Sequence, residues 1–193
     1  SSAWRYDADV PLEETLGAFA KLVEAGKVRA LGASNHGADR LREALQISKA
    51  RGLPRYEVMQ PQYNLYDRAD FESGLAAVAE EHQLGVVSYF SLASGFLTGK
   101  YDSVDDLQGK ARAGMLQGYF DERGMRLLDA LRKVAADVSA TPAQVALAWL
   151  MARPAITAPI ASATSVAQLD ELMGVAELTL SAGSIEALEA GSR

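Results

Sequence analysis

The sequence predicts an α/β protein built on a parallel sheet. Short strand-like apolar runs occur four times, and an amphipathic helical pattern comes after each of them. Strands that alternate with helices form right-handed βαβ units, in which the strands are parallel. Four such strands fit either a small open sheet or half of an eight-stranded barrel, and periodicity does not choose between these two. A complete barrel is not predicted, because only four strands are visible.

The first part of the chain shows clear helix signals. Residues 11–25 carry apolar side chains at helical spacing, with Pro11 in the first turn and Gly26 as the stop. The next predicted elements are a strand over 27–32, a helix over 38–51 that Gly52 ends, a strand over 56–60, a helix from Phe71 through Ala79 and a strand over 85–89.

The second part begins with a long Gly- and Ser-rich connection over residues 91–120, a length typical of functional or mobile loops. Two capping boxes follow, one from Thr141 to Gln144 and one from Ser165 to Gln168. The predicted elements are a helix through Leu127 and Val138, a helix that begins at Thr141, a strand over 156–160, a helix that begins at Ser165 and a last helix around Ile185 and Leu188.

The composition excludes several classes of function. The chain has 193 residues, a formal charge of −6 and no cysteine, which excludes disulfides, thiolate metal sites and a thiol nucleophile. With 19 basic and 25 acidic residues, there is no excess of positive charge for nucleic acid. No apolar run approaches the roughly 18 residues of a membrane span. We therefore expect a cytoplasmic protein with no nucleic-acid or membrane partner.

The four predicted strand ends carry uncharged amide, hydroxyl and aromatic side chains. Ligands bind at the carboxyl ends of parallel strands, and this donor set suits a flat polar ring with a carboxamide better than a metal. Helix capping by Ser34 and Asn35, and core packing by Tyr89, are the structural alternatives. The strand-end side chains are Ser34, Asn35 and His36; Gln60, Gln62 and Asn64; Tyr89, Ser91 and Ser94; and Ser162, Thr164 and Ser165.

Familiar catalytic motifs are absent from the sequence, which has no GxSxG, HExxH, P-loop or GxGxxG pattern. The two histidines do not form a ligand pair, so no metal site is predicted. We expect His82 to be a surface or packing residue, and His36 to be a minor candidate for a substrate contact.

Several long segments resemble the aldo-keto reductase family, in the family's order and over nearly the whole chain. The family is a (β/α)8 barrel, a TIM barrel, that transfers hydride between a nicotinamide cofactor and a carbonyl or alcohol. The resemblance implies that residues 1–193 form a single domain, the second half of such a barrel with roughly strands five to eight, in which 91–120 is a cofactor-side loop. The matching segments are 11–16, 26–35, 60–65, 91–101 and 141–150.

The resemblance also implies a cofactor site. Ser34, Asn35 and Gln60 would hold the nicotinamide carboxamide, and Tyr89 would stack on the nicotinamide ring. The residues implied along the pyrophosphate are Ser91, Leu92, Gly95, Leu97 and Lys100, and those at the adenosine end are Ser162, Ala163, Thr164 and Gln168.

Two departures from the family pattern matter. Trp4 stands where the family's tetrad has its histidine, and the positions of the Asp, Tyr and Lys are missing, so no catalytic residue is assigned and this chain alone is expected to be inactive. No Lys or Arg lies between Arg153 and Arg193, where a 2′-phosphate would need a cation, and Leu172 replaces an asparagine that often contacts adenine. NADP is the cofactor that the family implies, and NAD is the alternative.

Three functions stay open. The chain is the cofactor-binding part of an aldo-keto reductase, or a half-barrel that associates with itself through open barrel edges, or a non-catalytic cofactor-binding or scaffold protein. The substrate of the first would be a small carbonyl or alcohol. Because the chain starts at Ser1 and its first methionine is Met59, we expect a truncated form of a longer protein.

Overall fold

The computed structural model describes residues 9–110 and 112–193, which divide into two compact units. Unit 1 comprises the described residues up to Pro61 together with Ala69–Val87. Unit 2 comprises Gln62–Arg68 and Ser88–Arg193. Trp4, the position at which the sequence departs from the family's tetrad, lies outside the described residues.

Unit 1 is an alternation of helices and parallel strands. Ser34 at the end of the first strand pairs in register with Gln60 at the end of the second, and the second strand is parallel to the third. Gly52 ends its helix with a left-handed φ of 63°, as the sequence predicts. The elements are α1 (Leu12–Glu24), β1 (Leu31–Ser34), α2 (Ala38–Arg51), β2 (Tyr56–Gln60), a π-helical turn (Phe71–Leu75), α3 (Ala76–Glu81) and β3 (Gly85–Ser88), whose last residue belongs to unit 2.

The first strand is shorter than the alternating pattern over 27–32 predicts, because it begins only at Leu31. Gly26 takes a left-handed φ of 67° after α1. The main-chain N–H groups of Lys27 and Val28 then donate to the carbonyl of Leu22, at 3.0 and 3.3 Å. These N–H groups are used at the end of the helix and are not available to pair with a neighbouring strand. The strand predicted from the alternation of residues 27–30 was therefore wrong.

Unit 2 is mainly helical, and short helical turns lie throughout the segment 91–120. The Ile160 N–H donates to the Ser88 carbonyl at 2.8 Å, which brings the fourth strand beside the end of the third. The sheet order is therefore β1-β2-β3-β4. The elements are 3-10 turns at Ala93–Thr98, Val104–Leu107 and Gln117–Tyr119, α4 (Ala113–Leu116), α5 (Glu122–Asp137), α6 (Pro142–Met151), β4 (Ala158–Pro159), α7 (Val166–Met173), a 3-10 turn at Gly174–Glu177 and α8 (Ala182–Gly191).

The parallel α/β class is thus confirmed, although β4 has only two residues instead of the predicted run over 156–160. The Ile156 N–H donates to the Arg153 carbonyl at 3.0 Å, so this residue ends the turn after α6 and does not start the strand. Within the described ranges no single helix is long and apolar enough to cross a membrane; α5 and α6 meet that test only as a pair bent by 94°.

The core of unit 2 forms where α5 packs against α6 and α8. Leu127, Leu128 and Leu131 on α5 and Trp149 on α6 are all fully buried. Burial of each leucine contributes about 1.5–3 kcal/mol relative to exposure, so α5 is held mainly by this apolar face. The guanidinium groups of two arginines lie over the indole ring: Arg68 at 5.2 Å and Arg153 at 4.9 Å from its centroid.

Of the two predicted capping boxes, one is confirmed. Thr141 Oγ1 accepts from the Gln144 N–H at 3.2 Å, and Gln144 Oε1 accepts from the Thr141 N–H at 3.0 Å. At the second, Ser165 Oγ accepts from the Gln168 N–H at 3.3 Å, but the Gln168 side chain does not return to Ser165. Gln168 Oε1 accepts instead from the main-chain N–H of Thr164. The predicted bond from the Ser165 N–H to the Gln168 side chain was therefore wrong.

Candidate functional site

In unit 1, the carboxyl ends of β1 and β2 place Ser34 beside Gln60. The two residues are register partners, and Ser34 Oγ donates to the Gln60 main-chain carbonyl at 3.0 Å. Both are partly exposed, and the next residue, Asn35, is exposed with a left-handed φ of 57°. Asparagine tolerates this conformation better than most residues. The predicted carboxamide-binding set, Ser34, Asn35 and Gln60, is thus brought together at one edge of the sheet.

His36 follows the same edge but is held by local contacts. Its Nδ1 lies 3.0 Å from the Ser34 carbonyl oxygen, and its ring packs edge-on to Tyr56 with centroids 5.6 Å apart. Because a carbonyl only accepts, this contact places the proton on Nδ1. Burial lowers the pKa of His36, an effect that the bond to Ser34 opposes and the Arg40 charge reinforces. The imidazole is therefore suited to a neutral, packed role.

In unit 2, Tyr89 follows β3 and is aligned with the segment after β2. Gln62 and Tyr89 form an isolated parallel bridge, and the Tyr63 N–H lies 3.4 Å from the Tyr89 carbonyl oxygen, to which it donates. The Tyr89 ring lies edge-on to that of Phe90, with centroids 5.1 Å apart. The predicted stacking residue is therefore half-exposed at a strand end and fixed through its backbone.

The segment predicted to follow the pyrophosphate makes a tight left-handed turn. Ala93, Ser94 and Gly95 have φ values of 47°, 58° and 107°. Lys100 is exposed, and a Cβ on Gly95 would lie 4.0 Å from its Nζ, so the two positions are neighbours. Glycine adopts such a φ freely, but the left-handed φ values of Ala93 and Ser94 are costly for residues with a Cβ, and such strain is common at functional sites.

Two residues of that predicted set have internal roles. Ser91 is 1% exposed and its Oγ donates to the Ser88 carbonyl at 3.1 Å. Leu97 is fully buried, and its main-chain N–H donates to the carbonyl of Leu92 at 3.2 Å. Leu92, Gly95 and Lys100 are at least partly exposed, so they are the members whose side chain or surface a phosphate can reach.

The base of this segment is fixed by α5. The Arg132 guanidinium donates to the carbonyl oxygens of Gly99 and Tyr101, at 2.9 and 3.4 Å, and pairs with the Asp102 carboxylate. Gly99 has a φ of 69°, and a Cβ there would lie 3.1 Å from the Pro142 ring. Lys100 therefore sits between two residues whose backbone is held by one arginine.

After β4, the predicted adenosine-side residues lie at the start of α7. Gln168 Oε1 accepts from the main-chain N–H of Thr164 at 2.8 Å and from its hydroxyl at 3.0 Å. Ser162, Thr164 and Gln168 are exposed and Ala163 is half-exposed. The structure brings Thr164 and Gln168 together, and it leaves the Gln168 amide nitrogen as the end that can reach a ligand.

Sequence reasoning missed a polar cluster in unit 2 that involves Asp67 and Tyr119. Asp67 Oδ2 accepts from Gln62 Nε2 and Asn64 Nδ2, both at 2.9 Å, and from the Tyr119 hydroxyl at 2.8 Å. Burial, then the bond to Asp67, raises the pKa of Tyr119 well above its usual range. Asn64 Oδ1 accepts from the main-chain N–H of Tyr66, two residues on, which is the bond of an Asx turn, and an asparagine just after a strand end was the available signal.

A second tyrosine completes this cluster. The Tyr66 hydroxyl donates to Asp121 Oδ2 at 2.8 Å, and the Arg123 guanidinium lies 3.7 Å from the centroid of the Tyr66 ring. Bonds from Gly124 and from Tyr66 lower the pKa of Asp121. In the part of the chain that the structure describes, no group of three or more His, Asp or Glu side chains could hold a metal ion.

The sequence profile of the Aldo/keto reductase family matches residues 3–192. The chain is 30% identical over 173 residues to L-glyceraldehyde 3-phosphate reductase of Escherichia coli, covering 86% of this chain and 50% of that protein. It is 29% identical over 187 residues to the NADP(+) aldo-keto reductase yakc of Schizosaccharomyces pombe, covering 94% and 53%.

A third relative is the putative voltage-gated potassium channel subunit beta of Schizosaccharomyces pombe, which is 34% identical over 180 residues. That alignment covers 88% of this chain and 51% of the relative. The chain therefore spans about half the length of the curated relatives it matches.

Proposed function

The chain belongs to the aldo/keto reductase family, and on that basis we propose that it supplies cofactor-binding residues to a nicotinamide-dependent oxidoreductase. The family has the (β/α)8 barrel fold, and the four-stranded parallel sheet with its helices is consistent with part of such a barrel. The reaction is reduction of a small carbonyl or oxidation of an alcohol. When bound, the cofactor supplies or accepts the hydride.

The observation that carries this proposal is the pairing of Ser34 with Gln60 at one strand edge of unit 1. A carboxamide needs both a donor and an acceptor in its own plane, and hydroxyl and amide side chains provide these without a competing charge. Asn35, exposed next to them, adds a second amide. This uncharged set therefore fits the nicotinamide carboxamide.

The contributions of unit 2 are proposed from the same family pattern. Tyr89 provides a flat ring for stacking, and Lys100 with the main chain near Leu92 and Gly95 provides charge and N–H groups for the pyrophosphate. Ser91 and Leu97 act through the packing that holds this turn. At the adenosine end, Ser162, Ala163, Thr164 and Gln168 are the proposed contacts. Residues 101–120 are the part of this connection that we propose as a cover of the cofactor.

The residues available to a 2′-phosphate bear on the choice between NADP and NAD. The family profile and the NADP(+) relative favour NADP. The stretch between Arg153 and Arg193 offers no Lys or Arg for a 2′-phosphate. We therefore expect the preference for NADPH over NADH to be smaller than in a site where an arginine pairs with the 2′-phosphate.

Proton transfer is proposed to lie outside these 193 residues. In the family the tyrosine of an Asp, Tyr, Lys and His tetrad protonates the carbonyl oxygen, and the matching histidine position is Trp4 here. An indole N–H cannot act as a general acid near neutral pH. The chain by itself should therefore bind cofactor without turning over a carbonyl substrate.

Titration of the purified chain with NADPH and with NADH tests the proposal, with nicotinamide fluorescence as the signal. Gln60→Leu should weaken binding about tenfold, because it removes one hydrogen-bonding side chain at the strand edge. Gln46→Leu, which removes the same amide from an exposed position on α2, should leave binding unchanged. Absence of binding by the unsubstituted chain, or steady reduction of aldehydes by it, would contradict the proposal.

A second candidate function is a half-barrel that associates with a second copy of itself. The observation that favours it is the set of exposed apolar side chains on α7: Val166 is 74% exposed, Leu169 50% and Met173 64%. Apolar surface of this kind favours association. Sedimentation should then show a dimer, and the Leu169→Gln, Met173→Gln variant should be a monomer. A compact monomer of the unsubstituted chain would exclude this candidate.

A third candidate is a non-catalytic cofactor-binding or scaffold subunit. Trp4 favours it, and so does the likeness to a relative named as a putative potassium channel subunit beta. Failure of the full-length protein to reduce aldehydes, together with tight NADPH binding, would favour this candidate over the reductase.

A further inference from the structure

Asn64 is a fully buried asparagine in unit 2 whose side chain is saturated with hydrogen bonds. Its Oδ1 accepts from the main-chain N–H groups of Tyr66 and Asp67, both at 2.8 Å. Its Nδ2 donates to Asp67 Oδ2 and to the Phe90 main-chain carbonyl, both at 2.9 Å. An amide side chain has two donors and two lone pairs, so the full capacity of Asn64 is used.

The bond to the Phe90 carbonyl acts on a strained part of the backbone. Phe90 has a left-handed φ of 53°, which costs on the order of 1 kcal/mol or more for a residue with a Cβ. Its carbonyl oxygen also accepts from the Ala93 N–H at 2.7 Å. Such a conformation persists only when the surroundings fix it, and Asn64 provides one of the two bonds that do so.

The residue before Phe90 is Tyr89, the proposed stacking residue. Its carbonyl accepts from the Tyr63 N–H, and Tyr63 is 1% exposed and packed against Trp149 with ring centroids 5.5 Å apart. The backbone on both sides of the Tyr89–Phe90 peptide is therefore tied to a segment of three residues, 62–64, that is anchored in the core of unit 2.

We propose that Asn64 is a positioning residue that fixes the Tyr89–Phe90 backbone and thereby the presentation of the Tyr89 ring to the nicotinamide. This inference rests on the proposed function of Tyr89. The donor in the bond to Phe90 must be an N–H, which an aspartate of the same shape lacks. Position 64 therefore requires an amide and not merely a polar side chain of this size.

The test exchanges the two partners in the buried bond. Asn64→Asp removes the donor to Phe90 and sets a second carboxylate against Asp67. The double variant Asn64→Asp, Asp67→Asn restores the net charge, and the amide introduced at position 67 can donate to the carboxylate introduced at position 64. The double variant retains the acceptor for the two main-chain N–H groups and lacks the donor to the Phe90 carbonyl. The amide nitrogen at position 67 also takes the place of the oxygen that accepts from Gln62 and Tyr119, so these two bonds are lost as well.

Two quantities separate positioning from stability. The first is the midpoint of urea unfolding, which should fall in Asn64→Asp and recover in part in the double variant, where the charge repulsion is removed but Gln62 and Tyr119 lose their acceptor. The second is the ring-current shift of the nicotinamide protons of NADP, or of NAD, at saturation, measured by NMR. We expect this shift to shrink in both variants, with cofactor affinity weakened about tenfold. If Asn64→Asp does not fold, the double variant carries the test alone.

Ser48→Ala is the matched control, because Ser48 is 2% exposed and its Oγ donates to the Pro54 carbonyl at 3.2 Å in unit 1. It should lower the urea midpoint and leave the nicotinamide shift unchanged. A wild-type shift in the double variant would overturn the inference and leave the proposed function intact. Failure of the unsubstituted chain to bind either cofactor would overturn the proposed function, and the inference with it.

Discussion

Replacement of Tyr119 by phenylalanine removes a single hydroxyl group from the polar cluster of unit 2. The ring contacts stay, because they involve only the ring atoms of Tyr119. Its ring stacks on Phe96 with centroids 5.3 Å apart and lies edge-on to Tyr66 with centroids 4.8 Å apart. The lost interaction is the 2.8 Å bond to the Asp67 carboxylate. Hydrogen bonds to charged groups contribute about 1.5–3 kcal/mol, and the half-buried position of Tyr119 favours the lower end.

We therefore expect Tyr119→Phe to lower the free energy of unfolding by about 1.5 kcal/mol near neutral pH. Gln62 and Asn64 still donate to Asp67 in the variant, so the carboxylate is not left without partners. The measurement is urea unfolding of both proteins, followed by far-UV circular dichroism. Tyr101→Phe, which removes a hydroxyl from a half-exposed tyrosine, is the control and should have little effect.

The same substitution predicts a change in pH dependence. Burial and the bond to Asp67 raise the pKa of Tyr119 above the ordinary value of about 10. A group whose pKa is raised on folding stabilises the protein fully below its unfolded pKa, and that contribution is lost as pH rises through the folded pKa. The stability difference between wild type and Tyr119→Phe should therefore be constant below about pH 9 and shrink above pH 10.

Two results would refute this reasoning. Equal unfolding midpoints for wild type and Tyr119→Phe at neutral pH would mean that the hydroxyl contributes nothing. A stability difference that stayed constant up to pH 11 would mean that Tyr119 titrates alike in the folded and unfolded chains. Tyr66 and Tyr56 also have raised pKa values, but they are present in both proteins and cancel in the difference.

Three further predictions concern packing and cofactor binding. Gly124→Ala should destabilise unit 2 by about 3 kcal/mol, because its Cβ would overlap a main-chain carbonyl, whereas Gly118→Ala has open space and should be close to neutral in the same urea titration. Lys100→Met should weaken NADPH and NADH by the same factor, about tenfold by fluorescence titration, because the pyrophosphate is common to both, and the exposed control Lys110→Met should weaken neither. Gln168→Glu keeps the acceptor for Thr164 but loses the amide N–H donors, so it should lower cofactor affinity without lowering the urea midpoint; an unchanged affinity would remove Gln168 from the site.

Helix ends and strand ends were the parts of the fold that the sequence predicted best. Gly52 and the Thr141 capping box are local devices whose residue types and spacing suffice to place them. The edge that holds Ser34 and Gln60 followed from the parallel class alone, because the carboxyl ends of neighbouring strands meet on one side. These predictions need no knowledge of long-range contacts.

The errors come from hydrogen bonds whose partner a pattern does not reveal. Lys27 and Val28 alternate as a strand would, but their N–H groups are already bonded to the end of α1. The π-helical turn at Phe71–Leu75 shares the apolar periodicity of an ordinary helix, and a Cβ on its Gly74 would lie 3.1 Å from Ala38 on α2. Such packing between elements leaves no signature in the spacing of one segment.

The candidate site shows the same limit at the level of single side chains. Family likeness assigns Ser91, Leu97 and Gln168 to the cofactor alike, but the structure gives them different capacities. Ser91 and Leu97 are buried and bonded within the turn, whereas Gln168 is exposed and holds Thr164 through only one end of its amide. A residue at a position that the family uses for binding can therefore contact the ligand itself, or it can hold in place the backbone that contacts the ligand. Asn64 extends this distinction to a strand-end residue that the family likeness does not assign to the cofactor, because its proposed effect on the ligand passes through the Phe90 carbonyl.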